Sequence, residues 1–306
     1  MKKTVRNTVT DKEDSMLLSA FMNRTMGLTK RQIRQAKFRE EGICVNGVRS
    51  RSNTILKKGD EVAVLLEDEN TGSSHLIPCM ETPHVLYEDE DLLIADKPSG
   101  LTIHPSPGHY SRTLSNMLAA YFINRGEKVR IRSVGRLDRE TSGIVVFAKS
   151  QAAAARLFQQ KENGRFQKEY IAVVRGVPDI WKGSICRRIE RDENSLMKMK
   201  LSQSGKTAVT HYRVMGRGKE DSCSAVALCL ETGRTHQIRV HMAGLGHPLL
   251  GDSLYGGPME HIKRTALHAW KVKLIHPFTG EEIMLAADFP QDFKELLTEM
   301  ESCDML

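Results

Sequence analysis

The feature that most constrains the fold is a dense polar turn followed directly by an apolar run. Residues 135–143 read Gly-Arg-Leu-Asp-Arg-Glu-Thr-Ser-Gly, and in them Asp138 lies between Arg136 and Arg139. Residues 144–148, Ile-Val-Val-Phe-Ala, are continuously apolar and predict a buried strand. Asp138 is therefore expected at a rigid edge, although a carboxylate in such a turn is more often a solvated or salt-bridged loop residue.

The composition is that of a globular protein with an anionic partner. The 306 residues include 40% hydrophobic and 27% charged side chains, which suits one large domain or two ordinary ones. The net charge is +7, and residues 24–58 alone carry ten basic and two acidic side chains, a local charge of +8. Because clustered positive charge attracts polyanions, this distribution favours nucleic acid more than the net charge alone does.

The cysteines and the hydropathy indicate a reducing compartment and no membrane span. The six cysteines form no Cys-x-x-Cys pair, and no signal peptide precedes them. No apolar run approaches the roughly twenty residues that a membrane-spanning helix needs. We expect free thiols in a soluble, monomeric protein of the cytoplasm, with no membrane partner.

Two short helices are predicted near the N-terminal end. Residues 15–26 place apolar side chains close to helical spacing, and Gly27 ends the segment. Thr29 can cap a second helix that extends to about residue 41. Three basic residues share one face of this helix: Lys30, Arg34 and Lys37. A basic stripe is normally a solvated face, so by itself it does not establish contact with nucleic acid.

The following segment resembles a known RNA-binding domain. Residues 42–49, Gly-Ile-Cys-Val-Asn-Gly-Val-Arg, predict a hairpin on an Asn-Gly turn, and residues 56–64 supply another turn and strand. Two helices followed by these segments resemble the small RNA-binding domain of small-subunit ribosomal protein four. The resemblance implies that RNA backbone contacts are made by Lys30, Arg31, Arg34 and Lys37. Such contacts give affinity and register but little sequence discrimination.

A polar segment separates this region from the rest of the chain. Residues 67–82 are rich in Asn, Thr, Gly, Ser and Pro, so we place a small domain at 10–68, a linker at 69–82 and a second domain at 83–300.

In the second domain, strands are predicted at 84–87, 92–95, 168–174, 208–214, 224–230, 269–274 and 283–286, and helices at 114–123 and 151–161. Many strands with few helices, not in strict alternation, predict an α+β fold with a mixed, largely antiparallel sheet.

Four segments of the second domain are more polar than a structural role requires. They are Lys-Pro-Ser-Gly-Leu-Thr-Ile-His-Pro at 97–105, the turn at 135–143, Lys-Glu-Tyr at 168–170, and residues 231–252, which contain Thr-Gly-Arg-Thr-His-Gln-Ile-Arg and end in His-Pro-Leu-Leu-Gly-Asp. In this order they resemble the RluA-like family of RNA pseudouridine synthases. The resemblance implies an enzyme that isomerises specific uridines in structured RNA, with large-subunit ribosomal RNA favoured and transfer RNA second.

The resemblance also assigns roles to single residues. Asp138 is the catalytic aspartate, which attacks the sugar or assists removal of its 2′ proton, and the residues leave both routes open. Arg239 is its charge partner, because a buried carboxylate needs a nearby cation to stay ionised. Tyr170 packs on the target base or takes its C5 proton, and Leu267 lines the pocket beneath the uracil. Arg136 occupies the space that a flipped uridine leaves, or holds the displaced nucleotide.

Other interpretations remain open at this point. Arg239, Tyr170 and Leu267 could be an ordinary helix arginine, a core tyrosine and a core leucine. The chain could also be a non-catalytic RNA-binding protein on the same fold, or a metal-dependent nuclease that uses Asp138, Glu140 and Asp252.

Neither a cofactor nor a metal is expected. The isomerisation involves no redox change and no group gained or lost, so it needs no cofactor. The histidines of residues 236–247 lack the i, i+4 spacing of a zinc helix, and no cysteine lies among them.

Overall fold

The computed structural model describes residues 2–67, 73, 76–195, 197–298 and 300–302. Residues 69–72, 74 and 75 of the predicted linker lie outside the described residues. The strands are β1 (Lys2–Thr8), β2 (Ile43–Val45), β3 (Val48–Arg49), β4 (Glu61–Glu67), β5 (His84–Glu88), β6 (Leu92–Lys97), β7 (Arg132–Ser133), β8 (Ser142–Ala148), β9 (Gln167–Arg175), β10 (Lys182–Arg191), β11 (Met199–Ser202), β12 (Lys206–Arg217), β13 (Cys223–Leu230), β14 (Leu267–Ile275), β15 (Glu282–Ala286) and β16 (Glu301–Ser302).

The α-helices are α1 (Leu18–Arg24), α2 (Lys30–Lys37), α3 (Leu114–Asn124), α4 (Gln151–Glu162), α5 (Gln237–Gly244) and α6 (Gln291–Thr298). Short 3₁₀ turns lie at Asp11–Glu13, Lys219–Asp221 and Ser253–Tyr255. Across the described ranges, none of these helices combines the length and the apolarity that a bilayer span requires.

The N-terminal sheet has the order β1-β4-β2-β3, and α1 and α2 contribute to the core beneath it. Thr29 caps α2 as the sequence predicts, since its hydroxyl accepts a hydrogen bond from the amide of Gln32, whose side chain accepts one in return. Asn46 and Gly47 have φ of 51° and 77°, the conformation that a tight hairpin turn requires. Both predicted helices and the hairpin are present, but α1 covers only Leu18–Arg24 of the predicted 15–26, and α2 ends at Lys37 rather than near residue 41.

Strand β1 lies before residue 10, where the sequence placed the start of the small domain. It pairs antiparallel with β4 from Lys2 to Thr8, so the sheet begins earlier than predicted. The difference has a physical cause. Strand β1 is a polar edge strand, Lys-Lys-Thr-Val-Arg-Asn-Thr, which is mostly exposed and carries little apolar alternation.

The large sheet has the order β11-β10-β12-β13-β9-β14-β8-β6-β5, with β15 beside β14, β16 beside β12 and β7 beside β8. The pairings among its described strands are antiparallel except for one short parallel contact between β14 and β8. The predicted α+β fold with a mixed, largely antiparallel sheet is confirmed.

Strand β8 is buried on both faces. Val145 and Phe147 pack in a cluster that includes α3 and α5, whereas Ile144 and Val146 pack against α4 on the other face. All four side chains are at most 1% exposed. Burial of each large apolar side chain contributes about 1.5–3 kcal/mol. The polar turn at 135–143 therefore leads directly into a fully buried strand.

The parallel contact between β8 and β14 depends on a glycine. Gly143 has φ of 104°, and a Cβ atom at this position would lie 2.3 Å from the carbonyl oxygen of Ala269. One residue earlier, the hydroxyl of Ser142 lies 2.9 Å from Nδ1 of His268. Glycine is the residue that adopts this backbone angle without steric cost.

Two side chains join the N-terminal sheet to the large one. The guanidinium of Arg156 on α4 donates to the carbonyls of Met26 at 2.8 Å and of Pro277 at 2.6 Å. Lys3 of β1 forms an ion pair with buried Asp91, and its ammonium lies 3.9 Å from the centre of the Phe278 ring. These contacts fix the N-terminal sheet beside α4.

Replacing Gly143 with alanine should cost far more stability than the same change at a glycine in open space. We expect Gly143→Ala to lower the free energy of unfolding by about 4 kcal/mol or more, because strain and a backbone clash combine. Gly108→Ala is the matched control, since Gly108 has φ of 82° and no atom within 4 Å of its added Cβ. It should cost about 1–2 kcal/mol. Urea unfolding measures both, and equal losses would contradict the packing argument.

Candidate active site

Asp138 lies in the loop between β7 and β8, just before the buried strand. The amide of Thr141 donates to the carbonyl of Asp138 at 3.1 Å and closes the turn. The side chain of Asp138 is 29% exposed, so it borders solvent without being on the open surface. A carboxylate here is accessible to a ligand and is held by a rigid strand.

The segment at 97–101 is hydrogen-bonded to this loop through Lys97. The ammonium of Lys97 is fully buried and donates to the carbonyls of Pro98 at 2.9 Å, Leu101 at 2.8 Å and Arg139 at 3.1 Å. Burial lowers the pKa of Lys97 to about 7, while the charges of Glu140 and Asp138 act in the opposite direction. Two of the polar segments found in the sequence are thus joined by one lysine.

Arg239 on α5 lies beside Asp138, so the segment at 231–252 meets the loop at 135–143 here. Its side chain is buried, and Nη1 lies 3.5 Å from Oδ2 of Asp138. Its closer partner is Asp252: Nε donates to Oδ2 at 2.6 Å and Nη2 to Oδ1 at 2.8 Å. Burial disfavours the guanidinium charge, but the hydrogen bonds and charge of Asp252 outweigh it, with help from Asp138, and the pKa of Arg239 is raised.

Sequence reasoning missed the part that Asp252 plays, and considered it only as a metal ligand of a nuclease. Its carboxylate is 1% exposed and accepts hydrogen bonds from two nitrogens of Arg239. This bidentate pairing, here called the Arg239 fork, fixes the guanidinium plane. Tyr255, three residues later, lies with its ring centre 5.0 Å from Cζ of Arg239. No local pattern of the sequence distinguishes Asp252, which follows Gly251 at the end of the segment at 247–252.

Tyr170 and Leu267 form the apolar wall beside Asp138. They lie on adjacent strands, β9 and β14, and are 8% and 4% exposed. Together with Asp138 and Arg239 they line a crevice of about 60 Å³. Burial raises the pKa of Tyr170 well above its ordinary value, and the charge of Asp138 adds to the effect. The tyrosine is therefore a neutral phenol at physiological pH.

A larger cavity of about 780 Å³ opens from the crevice, and Asp138, Tyr170 and Arg136 line both spaces. This volume is within the roughly 300–1,000 Å³ of ligand pockets. Arg136 is exposed at its edge, and Nη2 lies 3.4 Å from the hydroxyl of Thr235. The loop at 135–143 and the segment at 231–239 thus meet around one cavity.

His236 is a second residue whose position the sequence did not predict. It has φ of 55°, in the left-handed region, immediately before α5. Nε2 lies 3.8 Å from Oδ2 of Asp138, and Nδ1 lies 3.0 Å from the hydroxyl of Tyr255. Burial lowers the pKa of His236, and Asp138 opposes this shift. The ring therefore packs beside the carboxylate and connects it to Tyr255.

The histidines of this region have separate partners. His241 contacts the hydroxyl of Thr210 at 2.9 Å, and His247 contacts the carbonyl of Arg175 at 2.9 Å. Glu140 is another carboxylate of the nuclease hypothesis, and its Oε1 lies 3.8 Å from Nε of Arg139. Over the described ranges, the one group of three or more His, Cys, Asp or Glu residues whose possible metal-ligand atoms all lie within 4.8 Å of one another is Asp89, Asp91 and His276. This group lies at the junction with β1 rather than beside Asp138.

The predicted RNA-backbone contacts lie on α2, away from this cavity. All four side chains are exposed, and none of them has an ion-pair partner within the described part of the chain: Lys30, Arg31, Arg34 and Lys37. Their charge is therefore available to an external anion.

The sequence and the fold both match proteins of one enzyme family. The family described as RNA pseudouridylate synthase matches residues 91–244. The RNA pseudouridine synthase YhcT of Bacillus subtilis is 41% identical over 94% of this chain and 94% of that protein. The ribosomal large subunit pseudouridine synthase D of Haemophilus influenzae is 36% identical over 79% of this chain and 77% of that protein.

Among solved structures, the human RNA pseudouridylate synthase domain containing 1 has a TM-score of 0.58 and 27% identity, over 74% of this chain and 91% of that chain. The family match includes the loop that carries Asp138 and the helix that carries Arg239. The nuclease hypothesis and the non-catalytic hypothesis are therefore superseded. The chain belongs to the RluA-like RNA pseudouridine synthases, isomerases that modify uridine in RNA.

Proposed function

We propose that this enzyme modifies specific uridines of large-subunit ribosomal RNA and that Asp138 is its catalytic group. The substrate is supported by relatives named for the large ribosomal subunit, at 36–37% identity. The observation that carries the catalytic proposal is the position of Asp138, 3.5 Å from buried Arg239 and on the wall of a cavity with Tyr170 and Leu267.

The reaction breaks the bond between N1 of uracil and C1′ of ribose, turns the base over and forms a bond between C5 and C1′. The C5 proton leaves and N1 gains a proton, so nothing is gained or lost overall. We propose that the carboxylate of Asp138 lies beside C1′, where it can attack the sugar or assist loss of the 2′ proton. Neither route needs a metal or a cofactor.

Arg239 and Asp252 position this carboxylate. With two nitrogens of Arg239 held by Asp252, the guanidinium cannot rotate away, and Nη1 is directed to Asp138. Preorganised charge of this kind stabilises a transition state without rearrangement during the reaction.

Tyr170 and Leu267 hold the uracil. A phenol with a raised pKa is a poor proton acceptor at neutral pH, so we propose Tyr170 as a packing surface rather than as the base that takes the C5 proton. Arg136 is exposed at the cavity edge, where its planar guanidinium can stack in the gap left by the flipped uridine.

Changing Asp138 to asparagine should abolish the reaction without unfolding the protein. We expect Asp138→Asn to lower pseudouridine formation in large-subunit ribosomal RNA by about 10⁴-fold or more while RNA binding remains. Glu140→Gln is the control, because this nearby carboxylate faces Arg139 and should not be needed. Chemical mapping of pseudouridine gives the result. Normal modification by the Asp138 variant would refute the assignment.

Breaking the Arg239 fork should lower activity selectively. Asp252→Asn removes a carboxylate from the fork and lets the guanidinium shift, for which we expect a loss of about 100-fold in the rate constant of modification. Asp292→Asn breaks a fork of the same geometry at Arg264, with contacts of 2.6 and 2.9 Å, outside the catalytic cavity. The control should keep its rate. Similar losses in both variants would show a general effect on folding instead.

The exposed cations of α2 should contribute to RNA affinity through phosphates. A variant with Lys30, Arg31, Arg34 and Lys37 changed to glutamine should flatten the plot of log affinity against log salt, by about 0.7–0.9 for each phosphate that is no longer neutralised. A variant with exposed Lys219, Lys263, Lys273 and Lys294 changed to glutamine removes the same charge elsewhere. Filter binding at several salt concentrations compares them, and parallel slopes for the α2 variant and wild type would argue against an RNA-binding helix.

A further inference from the structure

Lys161, in the last turn of α4, is a half-buried cation without a partner among the residues that the structure describes. Its ammonium has no hydrogen bond or ion pair to any residue that the structure describes, yet it lies on the wall of the cavity that contains Asp138. Charges removed from water are normally paired, because desolvation is costly. An unpaired ammonium at this place calls for an explanation.

The ammonium lies between the two loops that form the site. A Cβ atom on Gly135 would be 3.4 Å from Nζ of Lys161, and one on Gly233 would be 3.3 Å away. The ammonium therefore lies next to both glycines, at the junction of the loop that carries Asp138 and the segment that leads to α5.

A second cation faces the same space. Arg234 follows Gly233 and lines the cavity. Its guanidinium makes one hydrogen bond to the residues that the structure describes, from Nε to the carbonyl of Thr207 at 3.0 Å. Burial lowers the pKa of Lys161, and repulsion by Arg234 lowers it further. Within the described part of the chain, neither of these two like charges has an ion-pair partner.

The acidic residues of the cavity do not supply that anion. Glu231 is 2.6 Å from Nε2 of His211, and Glu162 is exposed and forms no ion pair with Lys161. Asp138 is paired with Arg239. Among the residues that the structure describes, these carboxylates leave Lys161 and Arg234 available to an anionic ligand.

We propose that Lys161 and Arg234 form a phosphate-binding subsite that holds a phosphodiester next to the target uridine. This inference rests on the proposed function, because the uridine is taken to lie at Asp138 and Tyr170 in the same cavity. An ammonium acts as a point charge and a guanidinium as a planar donor pair, a combination suited to the two non-bridging oxygens of a phosphodiester. Anchoring the adjacent phosphate fixes the ribose while the base is free to turn.

Calorimetric titration with uridine 3′,5′-bisphosphate tests the subsite without catalysis. We expect Lys161→Gln and Arg234→Gln each to weaken binding by about 10-fold, the typical effect of one charged hydrogen bond. Lys219→Gln, an exposed charge on a 3₁₀ turn, should bind as wild type does. Uridine without phosphates should not distinguish the proteins. Equal binding of the bisphosphate by wild type and both variants, or no binding by wild type, overturns the proposal.

Stability and kinetics separate this role from a structural one and from the proposed function. Lys161→Gln should melt at the same or a higher temperature than wild type, because it removes an unpaired charge, and a marked decrease would indicate a structural role instead. With ribosomal RNA, the variant should raise KM more than it lowers kcat. A wild-type protein that binds the bisphosphate through Lys161 but forms no pseudouridine would refute the proposed function and leave the subsite standing.

Discussion

The candidate active site depends on the pairing of one buried guanidinium with two carboxylates. Arg239 is 7% exposed, and a charge so deeply buried is tolerated only with close partners. Asp252 provides the two short hydrogen bonds, at 2.6 and 2.8 Å, and Asp138 lies 3.5 Å from the remaining nitrogen. Asp252 thus satisfies most of the guanidinium, and the longer contact leaves the carboxylate of Asp138 available to a substrate.

Much of the fold could be predicted because buried strands are visible as apolar runs. Strands β8, β9, β13 and β14 were anticipated to within a few residues. Strand β10 was missed, since only Ile185 and Ile189 are buried in it, four residues apart, and this is not the alternation of a strand. Strand β1 was missed for a related reason: it is a polar edge, defined by pairing with β4 and not by its own pattern. The local periodicity of a segment does not predict which distant segment it pairs with.

The site was predictable only in part, and the reason is similar. The resemblance named Asp138 and Arg239, but the fork between Arg239 and Asp252 depends on the path of the chain from α5 to the 3₁₀ turn at Ser253–Tyr255. In the sequence, Asp252 is one acidic residue among many. Its function appears only when α5 and that turn are placed side by side, which tertiary packing decides.

Unfavourable local features concentrate around this site. His236 is in the left-handed region with φ of 55°, and Lys161 is a half-buried cation without a partner among the residues that the structure describes. Each feature costs free energy by itself. The surrounding structure can compensate for this cost, because strand β8 is packed on both faces and the ammonium of Lys97 donates to the carbonyl of Arg139 in the loop that carries Asp138. The position of Asp138 is therefore fixed by packing and hydrogen bonds within the protein itself.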